Sequence, residues 1–444
     1  MKKFFFKAIL VVFLFAGISS CIFAQIQIDT NTTYEQIVSK ILGPGILAYD
    51  NVTIQGANCA TAVFTNGAET LVNMKDGILL CTGDATLAAG PNLSYDAGKN
   101  NNRPGHPSLQ AITIQTTYDA VVLEFDFQVQ NDSLRLWYSY GSEAYDEKVN
   151  TNYSDVCGLF LTGPNPMGGF YSDKNLAIIP GTLNSTVQVN NVNNGWAEPG
   201  NPPVGPCTNC AYYFSNLDTT AMEYDGFTTK LPAWIPVIPY EIYHIKIGIA
   251  DVSNRAYDSG LFLEGDHFVS LGPPEFISYD FLKADNPDLP FDIEGVVYDN
   301  EIHLTVPFGT DVTGLVGSWE DAGAWVYVGD KKQVNGVTLN DFSNPVLYSL
   351  QGTGSKSWSV LVDISTEVSE QAKSMVRIYS TGKDIVIHKA AGATVQVFNT
   401  SGVKIRTLEL SNDRERIAGL KPGLYIIQTE LNGIIHKQKV LISN

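Results

Sequence analysis

The nine residues Val121-Val122-Leu123-Glu124-Phe125-Asp126-Phe127-Gln128-Val129 set Val121, Leu123, Phe125, Phe127 and Val129 at every second position, with Glu124, Asp126 and Gln128 between them. A period of two sends the first set to one face of a strand and the second to the other, so one face is core and the other is wet. A helix would scatter those five apolar side chains around its axis. The same alternation runs through Leu134-Arg135-Leu136-Trp137-Tyr138, Ile242 to Ile249 and Leu261-Phe262-Leu263. Composition agrees, because 39 Gly, 21 Pro, 21 Tyr and 21 Phe against 17% charged residues favour short strands and turns over long helices. The expectation is an all-β chain whose residues 25–270 form one large antiparallel β-sandwich.

One helix precedes the strands. Thr32-Thr33-Tyr34-Glu35 has capping-box spacing, Ile37, Val38, Ile41 and Leu42 recur at helical intervals, and Gly43-Pro44 ends the run. The Asn-, Gly- and Pro-rich stretch 190–210 reads as a functional surface loop. Gly272-Pro273-Pro274 is a rigid break, after which a fresh strand set starts at Phe276. Ile302 with Leu304 and Val306, Val326 with Val328, and Trp358 with Val360 and Val362 give residues 275–364 the rhythm of an immunoglobulin-like β-sandwich. From Met375 a third set begins, and Asn432-Gly433 between two apolar runs signals a type I′ hairpin turn. Residues 372–444 are expected to form a small C-terminal β-sandwich.

Lys2, Lys3 and Lys7, the apolar run Ala8 to Ala16 and the exit Cys21-Ile22-Phe23-Ala24 make residues 1–24 a secretory signal peptide. That run falls short of the roughly 20 residues a membrane span requires, and no later segment is apolar enough to be a transmembrane segment. An oxidising destination lets cysteines pair. Cys59 and Cys81, in two strand-like stretches, are the first choice for a bridge, and Cys207 with Cys210 would pin a turn-rich loop. Cys157 sits in an apolar run and reads as a buried small hydrophobe. The 28 basic and 46 acidic residues give a net charge of −18. Three lysines leave with the leader, and residues 370–444 carry 11 basic and 6 acidic side chains, so residues 25–369 stand at −26. Such a body repels phosphate backbones, which excludes nucleic acid as a partner.

No nucleophile elbow, zinc helix, P-loop or EF-hand loop occurs in the sequence. Carboxylates are the richer signal. Glu143, Asp146 and Glu147 follow a strand end and Asp155 precedes the next strand, while Asp251, Asp258, Glu264 and Asp266 gather around a later turn. Oxygen-rich loops suit calcium, so structural Ca2+ is the expected cofactor, with Glu143, Asp146, Glu147, Asp155, Asp251 and Asp258 as ligands; the bland alternative is an acidic surface solvated by water. Glu124 and Asp126, roughly 7 Å apart along one strand face, have a spacing compatible with glycosidase carboxylates and equally with an ordinary wet face. His106 and His267 fall on loops and His244 on a strand, the usual places of satisfied or solvent-facing histidines. Trp196, Tyr212, Tyr213, Phe214 and Trp234 are candidates for a sugar-stacking, ligand-binding platform.

Three segments resemble known families. The tail, through Val376-Arg377-Ile378-Tyr379, Val395-Gln396-Val397-Phe398-Asn399-Thr400-Ser401-Gly402, Leu420-Lys421-Pro422-Gly423-Leu424-Tyr425-Ile426 and Lys439-Val440-Leu441-Ile442, resembles the C-terminal sorting domain of the type IX secretion system. Ser380-Thr381-Gly382 stands where that family has a Pro-Asn-Pro turn. The resemblance implies a sorting signal carried by Gly402, Pro422, Gly423, Tyr425 and Lys439, passage through the periplasm and the outer-membrane translocon, and removal of the tail by processing machinery. The body resembles the choice-of-anchor L family over roughly residues 30–270. It does so through Gly77-Ile78-Leu79-Leu80-Cys81-Thr82-Gly83, Tyr140-Gly141-Ser142-Glu143-Ala144-Tyr145, Ser154-Asp155-Val156-Cys157-Gly158-Leu159-Phe160, Asn175-Leu176-Ala177-Ile178-Ile179-Pro180-Gly181-Thr182, Tyr224-Asp225-Gly226-Phe227-Thr228 and Ile249-Ala250-Asp251. It implies a secreted or surface β-domain of undetermined biochemical activity. Val306-Pro307-Phe308-Gly309-Thr310-Asp311 and Asn340-Asp341-Phe342-Ser343-Asn344-Pro345 resemble a bacterial surface repeat that acts as a spacer.

The expected function is that of a non-catalytic protein displayed at the outer-membrane surface or released outside the cell, where its body binds glycan, matrix or a cell-surface ligand. An extracellular carbohydrate-degrading hydrolase using the Glu124/Asp126 face or the Glu143 loop is one alternative, and a structural surface-coat component is the other.

Overall fold

A computed structural model describes residues 25–217, 222–365, 377–380, 384–388, 391–400, 402–412, 414–431 and 434–442. The leader, with Cys21, and the Asn432-Gly433 turn lie outside the described residues. The chain divides into two compact units, Met1–Ser270 and Leu271–Asn444. Among the described residues no helix is long and apolar enough to cross a membrane.

The first unit is all-β, as the alternation predicts. Its strands are β1 (Gln27–Asp29), β2 (Ile46–Gln55), β3 (Thr61–Thr65), β4 (Asp76–Cys81), β5 (Thr117–Val129), β6 (Ser133–Ser142), β7 (Val156–Pro164), β8 (Phe170–Asn175), β9 (Tyr213–Ser215), β10 (Gly226–Thr228), β11 (Leu231–Pro236), β12 (Ile242–Val252) and β13 (Ser259–Glu264). They form an eight-stranded sheet ordered β1-β3-β4-β13-β6-β10-β9, with β11 also on β6, and a five-stranded sheet ordered β2-β5-β12-β7-β8. Every pairing in both sheets is antiparallel.

The core lies between the two sheets. Leu123, Phe125 and Phe127 of β5, Ile245, Ile247 and Ile249 of β12, and Leu159 and Leu161 of β7 pack with Ile78 and Leu80 of β4, Leu136, Tyr138 and Tyr140 of β6 and Leu261 and Leu263 of β13. Glu124, Asp126 and Gln128 stay half-buried on the far side of β5. Val122, between these two sets, is buried by a smaller cluster with Leu109, Val156 and Phe160. Helix α1 (Tyr34–Ile41) buries Ile37, Val38 and Ile41. Its cap is one residue later than the spacing predicts: Thr33 accepts the Gln36 amide while the Gln36 side chain accepts the Thr33 amide, because Gln36 and not Glu35 occupies the third helical position.

The second unit holds two buried cores. One gathers Phe276, Tyr279, Ile302, Leu304, Trp319, Tyr348, Trp358 and Val360 beneath a six-stranded sheet in which Glu301–Val306 and Ser355–Ile364 run parallel. The other gathers Ile385, Ile387, Val395, Val397, Tyr425, Ile427 and Ile442 between a three-stranded and a four-stranded sheet. Gly402 lies in the turn between Thr394–Asn399 and Lys404–Glu409 with φ +76°, a conformation glycine adopts without strain. Exposed Pro422 precedes Gly423, which opens the strand to Leu431; the Tyr425 hydroxyl donates to the Lys421 carbonyl at 2.7 Å, and Lys439 is exposed opposite Ile426.

Candidate functional site

Five strand ends from the two sheets meet at one end of the first unit: the exits of β4, β6 and β12 and the entries of β7 and β13. Antiparallel register fixes this, with Gly260 opposite Cys81 and Gly141, and Ile249 opposite Cys157. Asp155, Asp251 and Asp258 stand at those ends, none more than 3% exposed. Asp155 accepts the Val252 amide at 2.8 Å and the Ser259 hydroxyl at 2.7 Å, and Ser259 also meets Ser142 and Tyr140. Asp258 accepts the Lys99 amide at 2.8 Å through one oxygen; its other oxygen, and both oxygens of the fully buried Asp251, have no hydrogen-bond partner. The segment 98–103 wraps this corner. Its Asn101 and Arg103 amides donate to buried Asp119 at the entry to β5, and the Asn101 side chain donates to the Thr82 and Gly83 carbonyls.

A second group adjoins it. Glu143 is fully buried with neither oxygen hydrogen-bonded. Asp225 is fully buried and accepts from the Asn92 side-chain amide at 2.7 Å, and Asp146 accepts the Tyr213 hydroxyl at 2.6 Å. Burial is the first cause of the high proton affinity throughout, followed for most of these groups by repulsion between neighbouring carboxylates. It pushes Glu143 up to about 11 with Asp225, Glu223 and Asp258 nearby, Asp155 and Asp225 to about 8, Asp258 and half-buried Glu147 to about 7, and Asp146 to about 6. Burial, then Asp155 and Asp258, hold Asp251 well above the usual carboxylate range, and the Thr82 hydroxyl, close by but outside hydrogen-bond geometry, offsets part of that. Among the described residues no three His, Cys, Asp or Glu side chains are placed to hold a metal ion by themselves.

The six expected calcium ligands therefore separate into Asp155, Asp251 and Asp258 on one side and Glu143, Asp146 and Glu147 on the other. Asp119, Asp225 and Thr82 join them, although no spacing in the sequence marks them as ligands; Thr82 and Asp225 stand out there only as members of the family-like motifs. Glu264 stays outside, paired with Lys230 at 3.0 Å, and Asp266 lies in the turn whose amide reaches the Lys40 carbonyl.

Three other expectations are corrected or sharpened. Cys59 and Cys81 are both free: Cys81 is turned into the core, whereas the Cys59 sulfur faces the Gly83 carbonyl and Asn101. Cys207 and Cys210 are bridged, and Cys157 is buried and free. The aromatic platform does not assemble from the expected residues. Tyr213 is 7% exposed because its ring packs on Tyr145 and its hydroxyl serves Asp146. Half-buried Tyr212 donates to the Pro180 carbonyl, and Trp196 donates to the Glu147 carbonyl. Trp234 is 57% exposed on the outer face of the eight-stranded sheet, directly opposite Arg135, with Trp137 two residues further along β6. His267 packs edge-on against Trp137 at 5.6 Å.

On the outer face of the five-stranded sheet His244 meets acids. Its Nδ1 lies 2.8 Å from Asp126 and its Nε2 3.2 Å from Glu124, while His106 approaches Glu124 at 3.6 Å. Burial works against the Asp126 charge, but hydrogen bonds from Asn51 and His244 outweigh it and hold the carboxyl below its ordinary value. Burial pushes the His106 imidazole down.

Fold and site together define an all-β sandwich with a carboxylate-filled end. The chain belongs to the choice-of-anchor L family, whose domain matches residues 25–269. That membership fits a cell-surface or secreted protein. No curated protein matches the chain. Similar solved structures include the BSP domain of a biofilm-associated protein (8% identity, 86% of this chain and 74% of that one, TM-score 0.16). The adhesin domain of Epf from Streptococcus pyogenes is another (8%, 91% and 97%, TM-score 0.15), as are domains 3 and 4 of rat CD4 (6%, 38% and 89%, TM-score 0.14). Likenesses at these TM-scores carry no argument about this chain.

Proposed function

We propose that this is a non-catalytic protein of the bacterial surface whose first unit binds glycan. The supporting observation is the outward strip on β6 and β11, where Trp234, 57% exposed, stands opposite half-buried Arg135 with half-buried Trp137 two residues along, an indole and guanidinium arrangement suited to sugar rings and their hydroxyl or carboxylate groups. Glu124 and Asp126 are engaged by His244, His106 and Asn51. The leader and the tail motifs fit delivery through the type IX route, with residues 275–364 acting as an immunoglobulin-like spacer and the tail removed on arrival.

Retention of the full chain on a polysaccharide panel tests the binding reading. Retention without new reducing ends, lost in Trp234→Ala, is expected. Release of reducing ends that Glu124→Gln abolishes would replace this reading with that of a hydrolase. Deleting residues 376–444 should leave the protein in the periplasm, and surface display after that deletion would refute the sorting role.

A further inference from the structure

The corner around Asp251 has a property the glycan reading does not use. Four carboxylates, Asp119, Asp155, Asp251 and Asp258, are buried there, with the Arg255 guanidinium 3.9 Å from Asp119; the Lys99 ammonium pairs with half-buried Asp84 at 2.9 Å and reaches the Cys59 sulfur at 3.4 Å. Amides and hydroxyls satisfy Asp119 and Asp155, yet three oxygens of Asp251 and Asp258 are buried without a hydrogen bond. A buried charge left in this state is strongly unfavourable unless a counter-charge or a proton occupies the site. The backbone also makes room for these groups. A Cβ on Gly83 would fall 1.5 Å from the Asp258 carboxylate and one on Gly98 3.3 Å from it, so both flanking positions are side-chain-free where Asp258 packs.

We propose that this corner binds a calcium ion, with Asp251 and Asp258 as carboxylate ligands, Asp155 contributing charge, and neutral oxygens such as the Thr82 hydroxyl completing the shell. The donor set is all oxygen, which suits a hard cation and disfavours zinc or copper. Because no three carboxylates converge here by themselves, the shell draws on neutral oxygens, and calcium accepts such mixed, irregular shells more readily than magnesium. The ion would tie β12 of one sheet to β13 of the other and anchor the 98–103 segment over them.

Thermal unfolding of the full chain near neutral pH, in millimolar calcium and then in EGTA, tests this. Calcium should raise Tm by about 5 °C, and magnesium should not. Terbium should bind with luminescence excited through nearby tyrosines such as Tyr140, and calcium should quench it competitively. Asp251→Asn should abolish both effects, while Glu69→Gln on the exposed surface should keep them. If Asp251→Asn fails to fold, Asp258→Asn should weaken calcium at least tenfold. Equal Tm in calcium and EGTA for the wild type, or a calcium effect that survives Asp251→Asn, would overturn the site. A gain in Tm by Asp251→Asn that is the same with and without calcium would assign the corner to protons instead.

Discussion

The Tyr213 hydroxyl donates to Oδ1 of Asp146 at 2.6 Å, across 67 residues of sequence, and is the hydrogen bond that satisfies this carboxylate; the other oxygen has none. Tyr213→Phe should therefore cost about 1–3 kcal/mol in chemical denaturation. Asp146 already sits at about 6, raised by burial and eased down by Tyr213. With its folded pKa above the unfolded value, ionisation is penalised in the native state, so stability falls as pH rises from about 4 through 6. The variant raises that pKa further. Its deficit should be largest above pH of about 7 and shrink towards pH of about 4, and a deficit independent of pH would remove Asp146 from the account.

Asp225 makes a prediction of opposite sign. Burial, then repulsion from Glu147, Asp146 and Glu223, lifts it to about 8, against the Asn92 hydrogen bond. The penalty for ionising it grows as pH rises from near 4 and is complete above about 8. Asp225→Asn retains an acceptor for Asn92 and removes the charge. It should stabilise the protein by about 1–3 kcal/mol at alkaline pH and change little near pH of about 4; destabilisation at alkaline pH would show that a cation compensates Asp225.

Helix α1 offers a local test. Thr33→Ala should lose about 1 kcal/mol, whereas Thr32→Ala removes a hydroxyl that accepts and donates no hydrogen bond. Similar losses from the two substitutions, measured by urea unfolding, would contradict the assigned cap.

Thiol chemistry separates the cysteines. Alkylation of the native protein followed by peptide mapping should modify half-buried Cys59 and spare Cys81 and Cys157 until unfolding, since both are fully buried and burial raises both thiols. Cys207 and Cys210 should label only after reduction. A peptide linking Cys59 to Cys81 would reinstate the bridge that the structure lacks.

Much of the fold was legible because burial in a strand is a local property. Val121 to Val129 needed no partner to declare its two faces, and Ile37, Val38 and Ile41 declared a helix by spacing alone. Cysteine pairing was half legible: only Thr208 and Asn209 separate Cys207 from Cys210, so the loop itself brings them together, while Cys59 and Cys81 depended on which way each side chain turned. The carboxylates were visible as residues and invisible as a site. Nothing local distinguishes Asp251, buried with no partner, from Glu264, paired with a lysine.

Sequence by itself determined the all-β class, the helix, the family motifs and the acidic balance, because each is written in neighbouring residues or in their sum. Tertiary structure decided the rest. Strand order placed β13 between β4 and β6, and β12 between β5 and β7. That brings Asp155 to the Val252 amide 97 residues away and to the Ser259 hydroxyl 104 residues away, and it turns Tyr213 inward to Asp146. Which carboxylates end up buried together follows from sheet pairing between distant segments, a cooperative outcome that no local spacing records.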